Sequence, residues 1–463
     1  MKKSMILVMA AAAAAMTLVS CTKELNGNNE ENNQTSGLRT LTVSFAPNTR
    51  TYLDTDGLKP LWTGDGTEKI SLNGIDYTVP SAAAGKDSFT LTTTIEGDIT
   101  AVYPASAWNN SAPYFNVGAS QDGSFANANI CVASAKAGDT ELSFKNQTAI
   151  IKVNVPEGTK KLTLTSLNPI ENSGQRGESG AVAIADDSAT EITVSNDSGI
   201  PNPCYVSILA PASGAVLLQD LNVDVEYSEN KKAQGGFSPS AITAKGETPS
   251  TYVVEANTIY TLSESSLHEY VIADGKKWAT MNVGATEANP NGLYFAWGET
   301  TGHEANDAKT AFKESYSFSW ANCPFATSND PKFTKYVPSS MSDTYWSGEG
   351  PVDNKTVLDL EDDAAFWNWG GAWRIPTKGE FETFAAYNSY DSGNFEHKGV
   401  TFPTAGYGSG AKLNNAGSRG SYWSSSLCTD KPCNAYYFYF KRAEWGMNNG
   451  DRYYGYSVRP LSE

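Results

Sequence analysis

The chain is short of the residues that carry most metal and nucleophile chemistry. Of its 463 residues, 3 are histidine and 6 are cysteine. His268, His303 and His397 stand apart from one another, and no Cys/His run has the spacing of a zinc site. No metal and no cofactor is therefore expected. A Ser-His-Asp order signature and a glycine-rich phosphate loop are also missing. Positive charge is scarce: 34 Lys and Arg face 51 Asp and Glu, for a formal net charge of −17. That balance excludes nucleic acid as a partner, because phosphates call for a basic surface. After residue 18 no apolar run is long enough to cross a bilayer as a helix. Among so many acids two carboxylates could still meet in space. No constellation singles out a pair, and the chain reads as a non-enzyme.

What is present begins at the N-terminus. Lys2 and Lys3 precede an apolar run from Met5 to Leu18, and Leu18-Val19-Ser20-Cys21 has the form of a lipobox. Residues 1–21 read as a lipoprotein signal that takes no part in the fold, with Cys21 as the lipidated residue and the lipid as the membrane attachment. Residues 22–39 are rich in Asn and Glu and nearly empty of large apolar side chains, so they cannot offset the entropy of ordering and read as a disordered tether. Glu24, Glu30 and Glu31, interrupted by Lys23, resemble the acidic surface-export signal of Bacteroidetes lipoproteins. The resemblance implies an outer-membrane lipoprotein exposed at the cell surface. With Cys21 carrying lipid, an odd number of thiols is left. Cys428 and Cys433, in Cys-Thr-Asp-Lys-Pro-Cys, could close a small disulfide loop in an oxidising exterior.

From Leu41 the pattern changes to alternation. Leu41, Val43 and Phe45 share one face, as in a half-buried strand. Short strands recur to residue 264, among them 70–72, 89–94, 99–103, 142–144, 149–155, 161–165, 181–184, 191–194, 205–209 and 221–227, with a closing strand at 251–262. Gly, Asn and Pro turns separate them, and no convincing amphipathic helix intervenes. Residues 40–264 thus read as β-sandwich, with room for two subdomains and a boundary near residue 156. Thr49-Arg50-Thr51, Leu61-Trp62-Thr63-Gly64-Asp65, Tyr103-Pro104, Leu142 to Asn146 with Ala149 beyond, and Tyr260-Thr261-Leu262 together resemble the fimbrillin family of Bacteroidales surface lipoproteins. That resemblance implies paired transthyretin-like sandwiches. It also implies assembly with other fimbrial subunits by strand exchange. Arg39 or Arg50, which flank the first strand, could then be where an arginine-specific protease cleaves; the alternative is that the first strand stays in place and the protein is a monomeric surface lipoprotein.

Tryptophan marks the next boundary. Trp62 and Trp108 precede residue 270, and nine more follow it, from Trp278 to Trp445. Residues 265–463 therefore read as a separate unit able to fold alone. Asp274-Gly275 suits a type I′ hairpin turn. Gly370 and Gly371 end a helical run that starts near Asp359, and Thr377-Lys378-Gly379-Glu380 is a capping box opening another helix. Between them Trp373 and Ile375 point one way and Arg374 the other. A helix N-terminus accounts for Asp359, Glu361, Asp362 and Asp363. The order Trp373 to Thr377, Tyr422 to Ser426, Tyr456 to Pro460 resembles the major paralogous domain of Fibrobacter and Bacteroidetes surface proteins, similar in fold to C-type lectin-like domains. The fold class implied for the whole chain is multidomain: all-β sandwiches followed by an α+β lectin-like domain.

The acidic tripeptide motifs of calcium-dependent lectins do not occur, so sugar binding through calcium is not expected. Trp373, Trp423 and Arg459 are expected to hold the fold. Ligand contact is expected from the large aromatics Tyr345, Trp346, Tyr422, Trp445 and Tyr453, with residues 316–353 and 428–450 as the candidate loops, which carry Tyr345, Trp346 and Trp445. The function read from the chain is a fimbrial or adhesin-like lipoprotein whose C-terminal domain is a ligand-binding tip for a glycan or a host or bacterial surface protein. The alternative is a structural pilus subunit or anchor that binds nothing. A more distant one is an enzyme of the formylglycine-generating kind, whose fold is related but whose reactive cysteines have no counterpart constellation here.

Overall fold

The computed structural model describes residues 37–463 apart from 47–49, 53–60, 110–111, 169, 171, 176–189, 209–215, 229–230, 328–331, 387–392 and 443. Cys21, the signal segment, nearly all of the tether and the strand expected at 181–184 lie outside the described residues. Among those described, no helix is long and apolar enough to cross a membrane.

Alternation builds the first unit. The Arg39–Phe45 strand buries Leu41, Val43 and Phe45 and turns Thr40 and Thr42 outward. It lies inside a seven-stranded sheet, antiparallel to Ser88–Thr93 and parallel to Glu141–Asn146. Leu72 and Phe89, from opposite ends of that sheet, share one core with Ile99, Leu142 and Phe144, so the sheet folds over on itself. Trp62 fills the centre, stacked on Phe45 at 4.2 Å and edge-on to Tyr103 at 5.4 Å.

The second unit is a sandwich of two facing sheets. One holds Cys204–Ile208, Ala149–Val153, Thr258–Leu262 and the short Arg50–Tyr52 strand. The other includes Asn222–Tyr227, Lys161–Thr165 and Glu191–Ser195. Ile151, Val153, Val206 and Tyr260 from the first meet Leu162, Ile192, Val223 and Val225 from the second. The two cores interleave along the chain: the first takes its last residue at Phe144, while the second already draws on Val102, Ala107, Val117 and Ile130 before it continues from Ala149. Two helices stand in this region, Phe125–Ala128 and Pro239–Thr243, each only one turn long and capped by a serine.

Residues beyond 264 continue the second sheet. The Lys231–Gly236 strand pairs with Leu267–Ala273, which pairs with Lys276–Ala279 across Asp274 and Gly275, both at positive φ. Lys276–Ala279 then pairs with Leu461–Ser462, giving an eight-stranded sheet that runs through the composition boundary. Two glycine pairs allow the approach, since a Cβ on Gly236 would stand 2.3 Å from the Gly371 nitrogen. Trp373 crosses the seam, its indole N–H donating to the Gln234 carbonyl at 3.0 Å, and the Ala372 amide donates to Asn222 Oδ1 at 3.1 Å.

The rest of the C-terminal unit is a five-stranded sheet with the order Tyr294–Phe295, Tyr456–Ser457, Gly420–Leu427, Asn434–Lys441, Glu444–Asp451. Two helices pack on it. Ala364–Trp369 is capped by Asp363, whose Oδ1 accepts from the amides of Ala365 and Phe366 at 2.8 and 3.2 Å. Lys378–Ala385 carries the complete Thr377/Glu380 capping box and buries Phe381 and Phe384. Arg374 reaches Glu380 through two hydrogen bonds of 2.6 and 2.8 Å. Arg459 is wholly enclosed and donates to Asn282 Oδ1 and to the carbonyls of Ala279 and Thr401, each at 2.9 Å.

Candidate functional site

The irregular segment between Phe312 and Asp359 carries three short 3-10 turns and the single-turn helix Ser342–Tyr345. Trp346 ends that helix. It is half-buried, its indole N–H donates to the Gly350 carbonyl at 3.1 Å, and its ring lies on Phe333 and Val337. Gly348 leaves room for it, because a Cβ there would stand 2.4 Å from the indole ring. Tyr345 packs on the same apolar group, and burial followed by the Cys433 thiol raises its pKa. Trp320 lies edge-on to Phe333 at 5.8 Å and to Tyr453 at 4.9 Å. Tyr345, Trp346 and Trp320 pack on one apolar group, and Tyr453, which packs on a neighbouring one, joins them through Trp320, giving a half-exposed aromatic patch drawn from three separate stretches of chain.

Arg452 braces the patch from below. Nothing of it is exposed. Its guanidinium carbon sits 4.1 Å from the Phe333 ring centre and 4.7 Å from that of Trp297. It donates to the carbonyls of Pro432, Lys335 and Tyr336 at 3.1, 3.3 and 3.4 Å, and so ties the long excursion to the turn after Cys428. Burial pushes its pKa down to about 10, still well above neutrality, so it stays charged.

Two of the expected contact residues stand elsewhere. Tyr422 is fully buried, with its hydroxyl on the Pro403 carbonyl at 2.6 Å and its pKa pushed up to about 12 by burial. It belongs to the core and is not a contact residue: both faces of the Gly420–Leu427 strand are covered, Tyr422 packing in one core cluster and Trp423 in another, so alternation exposes neither. Trp445 is half-buried on the neighbouring helix, its indole N–H pointing to the Ala385 carbonyl at 3.4 Å. The stretch 428–450, expected as a loop, is chiefly a hairpin of two eight-residue strands. Trp320, on the other hand, is a patch residue that sequence reasoning misses, although its position in a polar, aromatic loop is signal enough.

The disulfide expected between Cys428 and Cys433 is not formed. Cys428 and Cys433 are free, buried thiols. The turn between them is closed by backbone bonds instead, Cys428 N to Asn434 O at 3.0 Å and Lys431 N to Cys428 O at 3.1 Å, while Cys433 Sγ faces Asn434 Oδ1. Burial pushes the Cys323 thiol up to about 12 and raises that of Cys433, which keeps both protonated and unreactive.

The acids before the first helix also differ from expectation. Asp363 alone caps it. Asp359, Glu361 and Asp362 gather around the Lys335 ammonium, at 3.1 and 2.6 Å for the first two and closer still for Asp362. Burial works against the Lys335 charge, but these three acceptors more than reverse it and raise the pKa. The ammonium stands among the carboxylates where a cation would otherwise sit. Arg39, at the start of its strand, donates to the carbonyls of Gly97 and Asp139 at 2.8 and 2.9 Å, and to that of Lys136. Arg50 lies in the Arg50–Tyr52 strand, parallel to Thr258–Leu262.

Comparison with known proteins adds the following. Residues 377–461 match a domain of unknown function (DUF8237). Among curated proteins nothing matches. Several solved structures resemble the chain distantly. A candidate cell adhesion protein of Bacteroides uniformis is 13% identical over 50% of this chain and 96% of its own, with a TM-score of 0.31. One from Bacteroides ovatus is 12% identical over 51% and 98%, with a TM-score of 0.29. The C-terminally truncated tip fimbrial protein Mfa3 of Porphyromonas gingivalis is 11% identical over 51% and 95%, with a TM-score of 0.26.

Proposed function

We propose that the chain is a cell-surface lipoprotein of the fimbrial or adhesin kind, in which the two β units raise a lectin-like C-terminal unit away from the membrane. The aromatic patch of Trp320, Tyr345, Trp346 and Tyr453 is its contact surface for a glycan or a surface protein. One observation supports this most: large aromatics from separate segments meet half-exposed on top of a buried arginine held by three carbonyls. Rings held in place this way lose little freedom when a partner covers them, which favours binding. Catalysis has no comparable support, since the described thiols are buried and four of them are shifted towards the neutral form by burial.

The full chain without its signal, screened on a glycan array and on cell-surface protein extracts, tests the reading. Retention by a ligand that Trp346→Ala and Tyr453→Ala both weaken, with the fold intact, supports it. Equal retention of all three proteins would move contact away from the patch.

A further inference from the structure

A cleft of about 630 Å³ opens where the first β unit meets the second, and it shares no residue with the aromatic patch. One wall is the Lys69–Leu72 strand. Ile70 and Leu72 point into the first core, so alternation turns Ser71 the other way, towards the cleft. Ser71 is nevertheless 0% exposed, and its hydroxyl has no hydrogen-bond partner among the described residues. Buried hydroxyls are rarely left so, because the lost hydration is not replaced.

Trp108 forms the facing wall. Its body packs on the second core, and its indole nitrogen lies over Gly74, where an added Cβ would stand 2.9 Å away. That N–H has no acceptor among the described residues. Two carboxylates flank the opening. Asp65 is fixed by the Thr67 amide and hydroxyl, both at 2.8 Å, and Asp76 is exposed on the adjoining strand. Glu68 is already committed, accepting from the Tyr103 hydroxyl at 2.9 Å and from the Thr63 amide at 2.8 Å.

We propose that this cleft binds a neutral saccharide. The site offers two unused donors, the Ser71 hydroxyl and the Trp108 indole, beside carboxylate acceptors and an aromatic wall. Sugar hydroxyls donate and accept at once, and the C–H face of a sugar ring suits an indole. A polyamine would satisfy the carboxylates but leave both donors unbonded. A phosphate or acidic sugar would meet Asp65, Glu68 and Asp76, with Lys69 as the one cation among the described lining residues. The proposal does not depend on what the C-terminal patch binds.

Saturation-transfer NMR on the full chain without its signal tests it, with galactose, glucose, mannose and N-acetylglucosamine as separate probes and spermidine as the cationic control. At least one sugar should show transfer and bind about tenfold more weakly to Ser71→Ala and to Asp76→Asn. Asp76 is exposed and Ser71→Ala fills no new space, so both variants should melt like the parent. Trp346→Ala should leave the signal unchanged. The proposal is overturned if none of the four sugars binds, if binding survives both cleft variants, if Trp346→Ala abolishes it, or if spermidine displaces the sugar.

Discussion

The guanidinium of Arg452 and the ring of Phe333 stack 4.1 Å apart with neither side chain exposed. The positive charge is met by rings and carbonyl dipoles, and its Nε has no partner among the described residues. Such an arrangement tolerates little change. Arg452→Ala should cost about 3–5 kcal/mol, because it removes the brace and strands three carbonyls. Arg452→Lys should recover only part of that, since one ammonium cannot reproduce the planar fork. Denaturant unfolding measures both, and a loss below about 1 kcal/mol for alanine would mean the carbonyls find water instead.

Gly348→Ala tests the patch without deleting an aromatic. The new methyl would stand 2.4 Å from the Trp346 ring, so the indole must move. A stability loss of about 1–3 kcal/mol is expected, together with weaker attachment of any ligand found by array. Unchanged attachment would separate Trp346 from the contact surface.

Separating the C-terminal unit at residue 265 should leave it folded but weaker. The cut uncovers the Leu267–Ala273 edge and takes away the acceptor of the Trp373 indole. Calorimetry should show residues 265–463 melting cooperatively and below the corresponding transition in the longer chain, with self-association through the freed edge. An identical transition would show that the shared sheet adds nothing.

Acid should loosen the same region in two stages. Burial lowers the His268 pKa to about 4 from 6.5, where the ring lies flat on Trp369 at 3.6 Å. The unfolded chain takes up that proton first, so stability falls as pH drops from about 6.5 to 4. Burial opposes the Glu380 charge, but the Arg374 and Thr377 hydrogen bonds win and hold its pKa near 2 against 4.5. Its contribution is complete above about 4.5 and is lost as pH falls towards 2. Melts across this range should lose the upper stage in His268→Phe and the lower in Glu380→Gln.

Metabolic labelling with a fatty-acid probe checks the membrane attachment. The parent should be labelled and Cys21→Ser should not; equal labelling of both would rule out lipid at this residue.

Much of the fold was legible because it follows from local rules. Alternation at Leu41, Val43 and Phe45, the Asp274-Gly275 turn and the Thr377/Glu380 box each need only neighbours in sequence. What sequence hid is set by distant contact. No apolar alternation marks the Lys231–Gly236 strand, whose Lys, Gln and Gly residues look like a loop until Leu267–Ala273 and Gly371 are seen against it. Tyr422 and Trp346 are both aromatics beside serine, yet one lies in a central strand and the other in an excursion, and only the sheet order tells them apart. The role of Lys335 among the acids depends on a partner more than twenty positions away.

The eight-stranded sheet has a mechanical consequence. A pull on the aromatic patch does not reach the second β unit through residues 263–266 alone. It also crosses the ladder between Lys231–Gly236 and Leu267–Ala273, with the Lys277–Asp224 ion pair at 2.8 Å and the Gln234–Ser462 bond at 2.7 Å loaded alongside. Parting the two regions would therefore mean breaking that ladder and both side-chain bonds together, and not merely extending the connecting residues.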